Sequence, residues 1–563
     1  MKPLASALVA ILVAIALWMA PLESSSRGAA GLRSDEGAYR MRLCELALTS
    51  GESLVHDRML EPRAGVDLPY GPFATSASAF VLGRLLPRAA LDVEQDNFDE
   101  DALADGAARL MLVLAWFAAI AMAWAGRRFL ASEVAGARGW AFVGTSIAAL
   151  AWAALALAPS MDGGSVRAPV WGLILVSINL GGAAALARPR ELIDQLGIAI
   201  GVGAISGIAL LNDPFVWPAL LAPVFSLWLC VRGGEKRARR DALRSGIFFV
   251  ASTLAVFGLR STWPAGASPW PRFGPDWQLH SGVIADPCIQ GMCILMIAWL
   301  VFAGRKSLAC RALCAVLVAS FVLRVIDPRF AAAPLAPAGC AFVAWADWLF
   351  AAETDRLFRR ALGVGFAGLL CFAAALSEDS TYSKQMIQTL RELRTATVSS
   401  GAWNHPGAAQ SYSILANPRA AGVIVFHARR PVCGGLLPGA DVTPSARAAA
   451  LAMLRWTQED LLARMTELNA LYVIATKRDG DRIEDLERVA AWPMPSPDHS
   501  IVGSGGDRSG EKGVDLLGAD PIPGFELVRR VPAELDSWEH TEIAIWRLVA
   551  PLRESHPATL RAR

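Results

Sequence analysis

Arg33-Ser-Asp35-Glu36-Gly-Ala-Tyr39-Arg40 lies in a polar stretch, residues 21–106, that follows directly on the apolar segment 3–20, and nothing else in the first half of the chain is so polar. Further along stand His56-Asp57-Arg58 and Glu61-Pro-Arg63-Ala-Gly65-Val-Asp67-Leu-Pro69-Tyr70-Gly71-Pro72. A long charged connection of this kind belongs at a membrane face, where carboxylates meet cations and charged lipid headgroups.

The rest of the chain sets that loop in its context. Apolar residues make up 54% of the 563 residues and charged ones only 18%, and a soluble globule has no core large enough to take so much apolar sequence. The fold class read from this is a polytopic α-helical membrane protein. Spans of roughly 17–22 apolar residues number about eleven, near 3–20, 107–125, 138–158, 168–187, 191–211, 214–231, 243–259, 285–303, 307–325, 331–351 and 359–376. Alternate connections are basic: Arg127, Arg128 and Arg138; Arg188 and Arg190; Lys236, Arg237, Arg239, Arg240 and Arg244; Arg305, Lys306 and Arg311; Arg356, Arg359 and Arg360. The positive-inside rule makes these cytoplasmic and sends the loop 21–106, the turn at Asp162, Asn212-Asp213-Pro214, the Trp-rich loop 260–284, Asp327-Pro328-Arg329 and the tail outside. That alternation works with the first segment kept as an uncleaved helix, although it also has the look of a signal peptide. The net charge of +2, with basic residues confined to loops, gives no nucleic-acid surface.

After residue 376 the pattern changes. Ser445–Glu467 has helical spacing, Leu471–Thr476, Val423–Phe426 and Ile543–Trp546 read as strands, and Ser500–Leu517 is a Gly- and Ser-rich loop. The expected organisation is a membrane domain over 1–376, with its large first external loop, and an extracytoplasmic α/β domain over 377–563. The nine cysteines show no C-x-x-C metal spacing, and most lie in apolar spans; Cys44 and Cys433 stand outside them, leaving a disulfide open.

Asp35 is the best oxygen ligand for a divalent metal such as Mg²⁺ or Mn²⁺, which in group transfer neutralises charge on a leaving pyrophosphate. The competing reading makes Asp35-Glu36 the cap of a helix over Ala38–Leu48. Asp162, on the same expected side in Pro159-Ser-Met-Asp162-Gly163-Gly164-Ser165-Val-Arg167, is a second ligand or simply a turn former. Arg329 breaks the basic-inside pattern and suits a phosphate or carboxylate, or pairs locally with Asp327. Trp263, Trp270 and Trp277 fit an interfacial belt.

Taken together, these stretches resemble the catalytic subunit of oligosaccharyltransferase, a membrane glycosyltransferase of the GT-C fold, as a divergent member. Arg33-Ser-Asp35-Glu36-x-x-Tyr39, Asp57, Pro62-Arg-Ala-Gly65 and Leu68-Pro69-Tyr70-Gly71-Pro72 are similar to the first external loop of its bacterial members. Asp162-Gly-Gly-Ser-Val-Arg167 is similar in position to a second-loop motif, Asp-His-His-Asn-Leu-Gln, and Arg329 to an outward arginine ahead of a late helix. Tyr412-Ser-Ile-Leu415-Ala416-Asn417-Pro418-Arg419, running on to Arg430-Pro431-Val432, looks like the region of the family's Trp-Trp-Asp-Tyr-Gly motif. The Trp and Asp of that motif have no counterpart here, Gly163 and Gly164 stand where the family has histidines, and loop 260–284 offers Asp276 but no Glu.

The resemblance implies transfer of a glycan from a polyprenyl-pyrophosphate donor to a protein or glycolipid acceptor outside a bacterial inner membrane. It gives Asp35 and Asp162 the metal, Arg329 the phosphate or acceptor backbone, Asp57 the support of the loop, and Tyr412 and Asn417 substrate contacts. Two alternatives stand beside it: a transferase using polyprenyl-monophosphate sugars on lipid or cell-wall glycans, and a catalytically inactive glycan-binding homologue. A transporter is disfavoured, because the spans carry few ionisable residues and no inverted repeat.

Overall fold

The computed structural model describes residues 34–50, 54, 56–61, 65–68, 71–86, 100–130, 138–157, 164–187, 191–233, 236–258, 285–303, 307–351, 363, 365–370, 382, 384–397, 412–436, 442–454, 458–476, 522–531 and 543–549. The segment 3–20, Asp162, the three loop tryptophans and 500–517 lie outside the described residues. The chain forms two compact units, Met1–Leu54 with Pro69–Thr381, and Val55–Leu68 with Tyr382–Arg563.

In the first unit the polar loop supplies α1 (Asp35–Ser50) and α2 (Phe73–Leu85). The Ser34 hydroxyl accepts from the Gly37 N–H at 3.1 Å, so Ser34 is the cap and the two acids occupy the first turn. The bundle follows as α3 (Glu100–Leu130), α4 (Arg138–Leu157), α5 (Ala168–Leu186), α6 (Leu192–Asn212), α7 (Ala222–Gly233), α8 (Lys236–Gly258), α9 (Ala285–Ala303), α10 (Leu308–Ile326) and α11 (Leu335–Ala351). Among the described residues five of these, α3, α5, α6, α8 and α10, are long and apolar enough to cross a membrane. The span expected over 214–231 instead opens with two 3-10 turns, Pro214–Val216 and Ala219–Leu221, and α7 starts only at Ala222. Pro214 and Pro218 have no N–H to give a helix, which delays its start.

Glycine sets the closest helix contact. A Cβ on Gly203 would stand 2.4 Å from the Phe249 carbonyl oxygen, and one on Gly207 would stand 2.9 Å from that of Thr253, so α6 and α8 run parallel at backbone contact. The reverse face of α8 shows Leu243, Ile247, Phe248, Val250 and Leu254 outward, as lipid requires. Two polar side chains inside the bundle are tied to neighbouring helices: Asn179 Nδ2 donates to Ser206 Oγ at 2.6 Å, and Trp152 Nε1 to the Leu335 carbonyl at 2.8 Å.

Contacts within this unit also sort its two ends. Cys230 near the end of α7 lies against the Leu186 carbonyl at the end of α5, and Ser307 before α10 bonds the Phe129 carbonyl in α3. That end carries the basic residues. The other end carries α1, the start of α5 at Arg167, and the ends of α6 and α10.

The second unit pairs β1 (His56–Asp57) with β2 (Val66–Asp67) in an antiparallel ribbon. Its main sheet runs β3 (Ser413–Leu415), β4 (Ala470–Thr476), β6 (Ile543–Leu548) and β5 (Phe525–Val531) in that spatial order; β3 and β4 are parallel and the other pairs antiparallel. Helices α12 (Lys384–Ala396), α13 (Pro444–Leu454) and α14 (Gln458–Glu467) complete it. One expectation is corrected. Val423–Phe426 is not a strand: Ala421–Val423 is an α turn running into a π-helix over Ile424–Ala428. The run is buried on every side, and an all-apolar run carries no period to separate helix from strand. Cys44 and Cys433 form no disulfide. Both are buried free thiols, and the Cys433 thiol is occupied locally, donating to the Ile414 carbonyl at 3.2 Å.

Candidate functional site

At the loop-bearing end of the first unit, the first turn of α1 holds Asp35 and Glu36, and Asp35 is buried to 7% exposure. Glu36 spans two cations: Oε1 meets Arg40 Nη2 at 3.3 Å and Oε2 meets Arg167 Nη1 at 3.2 Å. Arg167 caps α5 immediately after the 3-10 turn Gly164–Val166, so one carboxylate ties α1 to the turn that opens α5. Ser78 Oγ of α2 strengthens the tie by donating to the Ser165 carbonyl at 2.7 Å, and Trp171 Nε1 does so at 2.9 Å. Burial pushes the Glu36 carboxyl up, but the Arg167 and Arg40 guanidiniums outweigh it and hold it below its ordinary value.

Two Asp-Pro turns stand beside this cluster. Asp213 and Asp327 each end a helix in extended backbone, and each opens a 3-10 turn by accepting the N–H of the residue two ahead, Phe215 at 2.9 Å and Arg329 at 3.0 Å. Phe215 and Phe330 bring the turns together, their ring centroids 5.5 Å apart. Their carboxylates are used differently. Asp327 takes Arg329 Nη2 at 2.6 Å and Nε at 3.0 Å, while the Arg329 guanidinium carbon lies 5.0 Å from the Phe215 ring centre. Asp213 makes no salt bridge among the described residues. Burial pushes its carboxyl up to about 6, against the pull of the Phe215 N–H and of Arg40, with Glu36 adding to the rise.

In the second unit Asp57 is fully buried and Oδ1 accepts the Met59 N–H at 2.9 Å, bracing the chain after β1. Tyr412 is buried with its ring 5.6 Å from that of Tyr472. Asn417 caps the 3-10 turn Pro418–Ala420 through the Arg419 N–H at 3.0 Å. Downstream, Arg430 plugs the end of α12, donating to the carbonyls of Arg394 at 2.7 Å and Thr397 at 3.0 Å.

The structure therefore brings Asp35, Arg329 and the base of the second loop to one end of the first unit, with Asp162 outside the described residues. Sequence reasoning singled out neither Glu36 as the bridge nor Asp213 as a site carboxylate. The readable signal for Asp213 was the recurrence of Asp-Pro at two helix ends, Asp213-Pro214 and Asp327-Pro328. Among the described residues no three His, Cys, Asp or Glu side chains group to hold a metal ion. Glu36 is committed to arginine.

The architecture is a multi-span helical bundle with its connections packed at one end, followed by a mixed α/β unit, and this is the fold seen in oligosaccharyltransferase structures. The oligosaccharyltransferase of Archaeoglobus fulgidus tethered to an acceptor peptide containing the NVT sequon matches with a TM-score of 0.60 at 14% identity, over 87% of this chain and 71% of that one. The same archaeal enzyme in complex with an inhibitory peptide and a dolichol-phosphate gives 0.58 at 15% identity, over 87% and 71%. Its complex with Zn and sulfate gives 0.55 at 14%, over 83% and 67%. At such identities the likeness is one of fold. No protein-family model matches the sequence, and no curated protein matches it.

Proposed function

We propose that the chain is an oligosaccharyltransferase-like glycosyltransferase that moves a glycan from a polyprenyl-pyrophosphate donor to an acceptor on the extracytoplasmic side. The observation that carries this reading is the gathering of the Asp35 turn, the Arg167 base of the second loop and the Arg329 turn at one end of a bundle with this fold. Asp35 and Asp162 are the proposed ligands of a divalent cation, which when bound supplies positive charge to the leaving diphosphate. Arg329, held rigid by Asp327, presents its guanidinium to phosphate or acceptor backbone. Asp57 braces the loop, and Tyr412 and Asn417 are the proposed substrate contacts of the second unit. Glycosidic cleavage rests on positioning and electrostatics, and the nucleophile comes from the acceptor.

One observation favours a second reading. Asn417 caps the 3-10 turn Pro418–Ala420 and the Tyr412 ring is packed on Tyr472, so both residues of the stretch resembling the sequon-reading motif already have internal contacts. A transferase drawing on polyprenyl-monophosphate sugars for lipid or cell-wall glycans needs no such reader. The test is the full chain in vesicles supplied with a polyprenyl-diphosphate glycan, Mg²⁺ or Mn²⁺ and an acceptor peptide. Glycopeptide that vanishes with Asp35→Asn supports the first reading, and glycolipid made only from a monophosphate donor supports the second.

A further inference from the structure

The end of the bundle away from the candidate site carries a surface with no role in the transfer chemistry. Arg232 ends α7, and Lys236, Arg237, Arg239 and Arg240 open α8, all exposed; Arg244 follows one turn on. On the same end Arg128 lies over the Trp124 ring at 4.2 Å and Arg232 over Trp228 at 5.5 Å, and both tryptophans are partly exposed. Trp124 packs on Gly181 of α5, and Cys230 of α7 touches the Leu186 carbonyl, which puts the two Trp–Arg pairs at one level of the bundle. Exposed tryptophans with arginines one turn farther along are the pattern of side chains at a membrane interface.

Below that level α8 presents Leu243, Ile247, Phe248 and Leu254 outward, so the cations sit at the rim of an apolar face. The described acids at this end are Glu191, Asp194, Asp241 and Asp347, and the last two face Arg244 and Arg127, each at 3.9 Å. Among the described residues positive charge is left in excess. Clustered Lys and Arg beside a membrane helix attract anionic headgroups, each charge contributing about fivefold in affinity.

We infer that the Arg232–Arg244 segment is a docking surface for anionic phospholipid headgroups, on the membrane face opposite the candidate site. Its occupant is the lipid surface itself. The apolar flank of α8 takes the acyl chains while the basic turn takes the phosphates, and this holds whatever reaction the other end performs.

The experiment uses the purified full chain in detergent, with phosphatidylglycerol or phosphatidylcholine added and retained lipid measured by native mass spectrometry. Phosphatidylglycerol should be retained in preference, less so as salt rises past the point where screening reaches about 8 Å. Arg240→Gln should weaken retention about fivefold, and neutralising Lys236, Arg237, Arg239 and Arg240 together should remove the preference, while Arg84→Gln in α2 leaves it unchanged. If the fourfold variant fails to fold, the single variant and the salt series decide. Equal retention of the two lipids, retention indifferent to Arg240→Gln, or displacement of the lipid by millimolar inorganic phosphate would each overturn the inference.

Discussion

Glu36 bridges α1 to the turn that opens α5. With Arg40 on one oxygen and Arg167 on the other, its loss leaves two buried guanidiniums short of their counter-charge. Glu36→Gln should cost about 2 kcal/mol of stability, read by thermal unfolding in detergent, and should lower transfer at least tenfold by loosening the turn that follows Asp162. Its pKa is depressed, so its contribution is present above the ordinary value of 4.5 and is lost as pH falls through the folded value; the variant should be no more acid-sensitive than its own neutral-pH baseline. Asp213 has the opposite sign. Its carboxyl is raised from 3.8 to about 6, so the folded state holds a proton the unfolded chain releases, and stability declines as pH rises through that window. Asp213→Asn keeps an oxygen for the Phe215 N–H and removes the buried charge. It should raise the unfolding temperature at pH 7.5 and leave it nearly unchanged at pH 4, a difference that unfolding scans at the two pH values measure directly.

Among the elements, the α6–α8 crossing shows what sequence could and could not supply. The glycines at 197, 201, 203 and 207 look alike as a series, but only Gly203 and Gly207 meet backbone on α8, while Gly197 and Gly201 have open space. Gly203→Ala should therefore destabilise by about 2 kcal/mol, and Gly201→Ala should stay within about 0.5 kcal/mol, compared by unfolding of the two variants side by side. Helix existence was legible because lipid demands long apolar runs, and spans expected near 168–187, 191–211, 285–303 and 307–325 coincide closely with α5, α6, α9 and α10. Strands 470–476 and 543–548 were likewise foreshadowed by β-branched and aromatic runs. Val423–Phe426 misled because burial on all sides erases the period, and β3 and β5 went unread because three residues, or a run broken by Glu526, Arg529 and Arg530, carry too little pattern. Asp35 could be marked as a candidate from sequence by its neighbours. The Glu36–Arg167 bridge could not, since it joins residues brought together only by packing.

For the molecule as a whole, one end of the first unit concentrates carboxylates and arginines around helix ends, and the other end is rimmed with exposed Lys and Arg. The fold is shared with an archaeal oligosaccharyltransferase at a TM-score of 0.60, while in the second unit Asn417 caps a turn and Tyr412 packs on Tyr472. Under the proposed function, a shared fold with Asn417 and Tyr412 held in internal contacts predicts that donor cleavage depends less on the second unit than acceptor choice does. The most direct measurement is therefore donor cleavage itself, followed as release of polyprenyl diphosphate from a lipid-linked glycan by the reconstituted full chain. The account predicts release that needs Mg²⁺ or Mn²⁺, stops with EDTA and falls at least a hundredfold with Asp35→Asn, while the variant keeps its unfolding temperature. Release that proceeds equally well in EDTA, or that Asp35→Asn leaves intact, would contradict it.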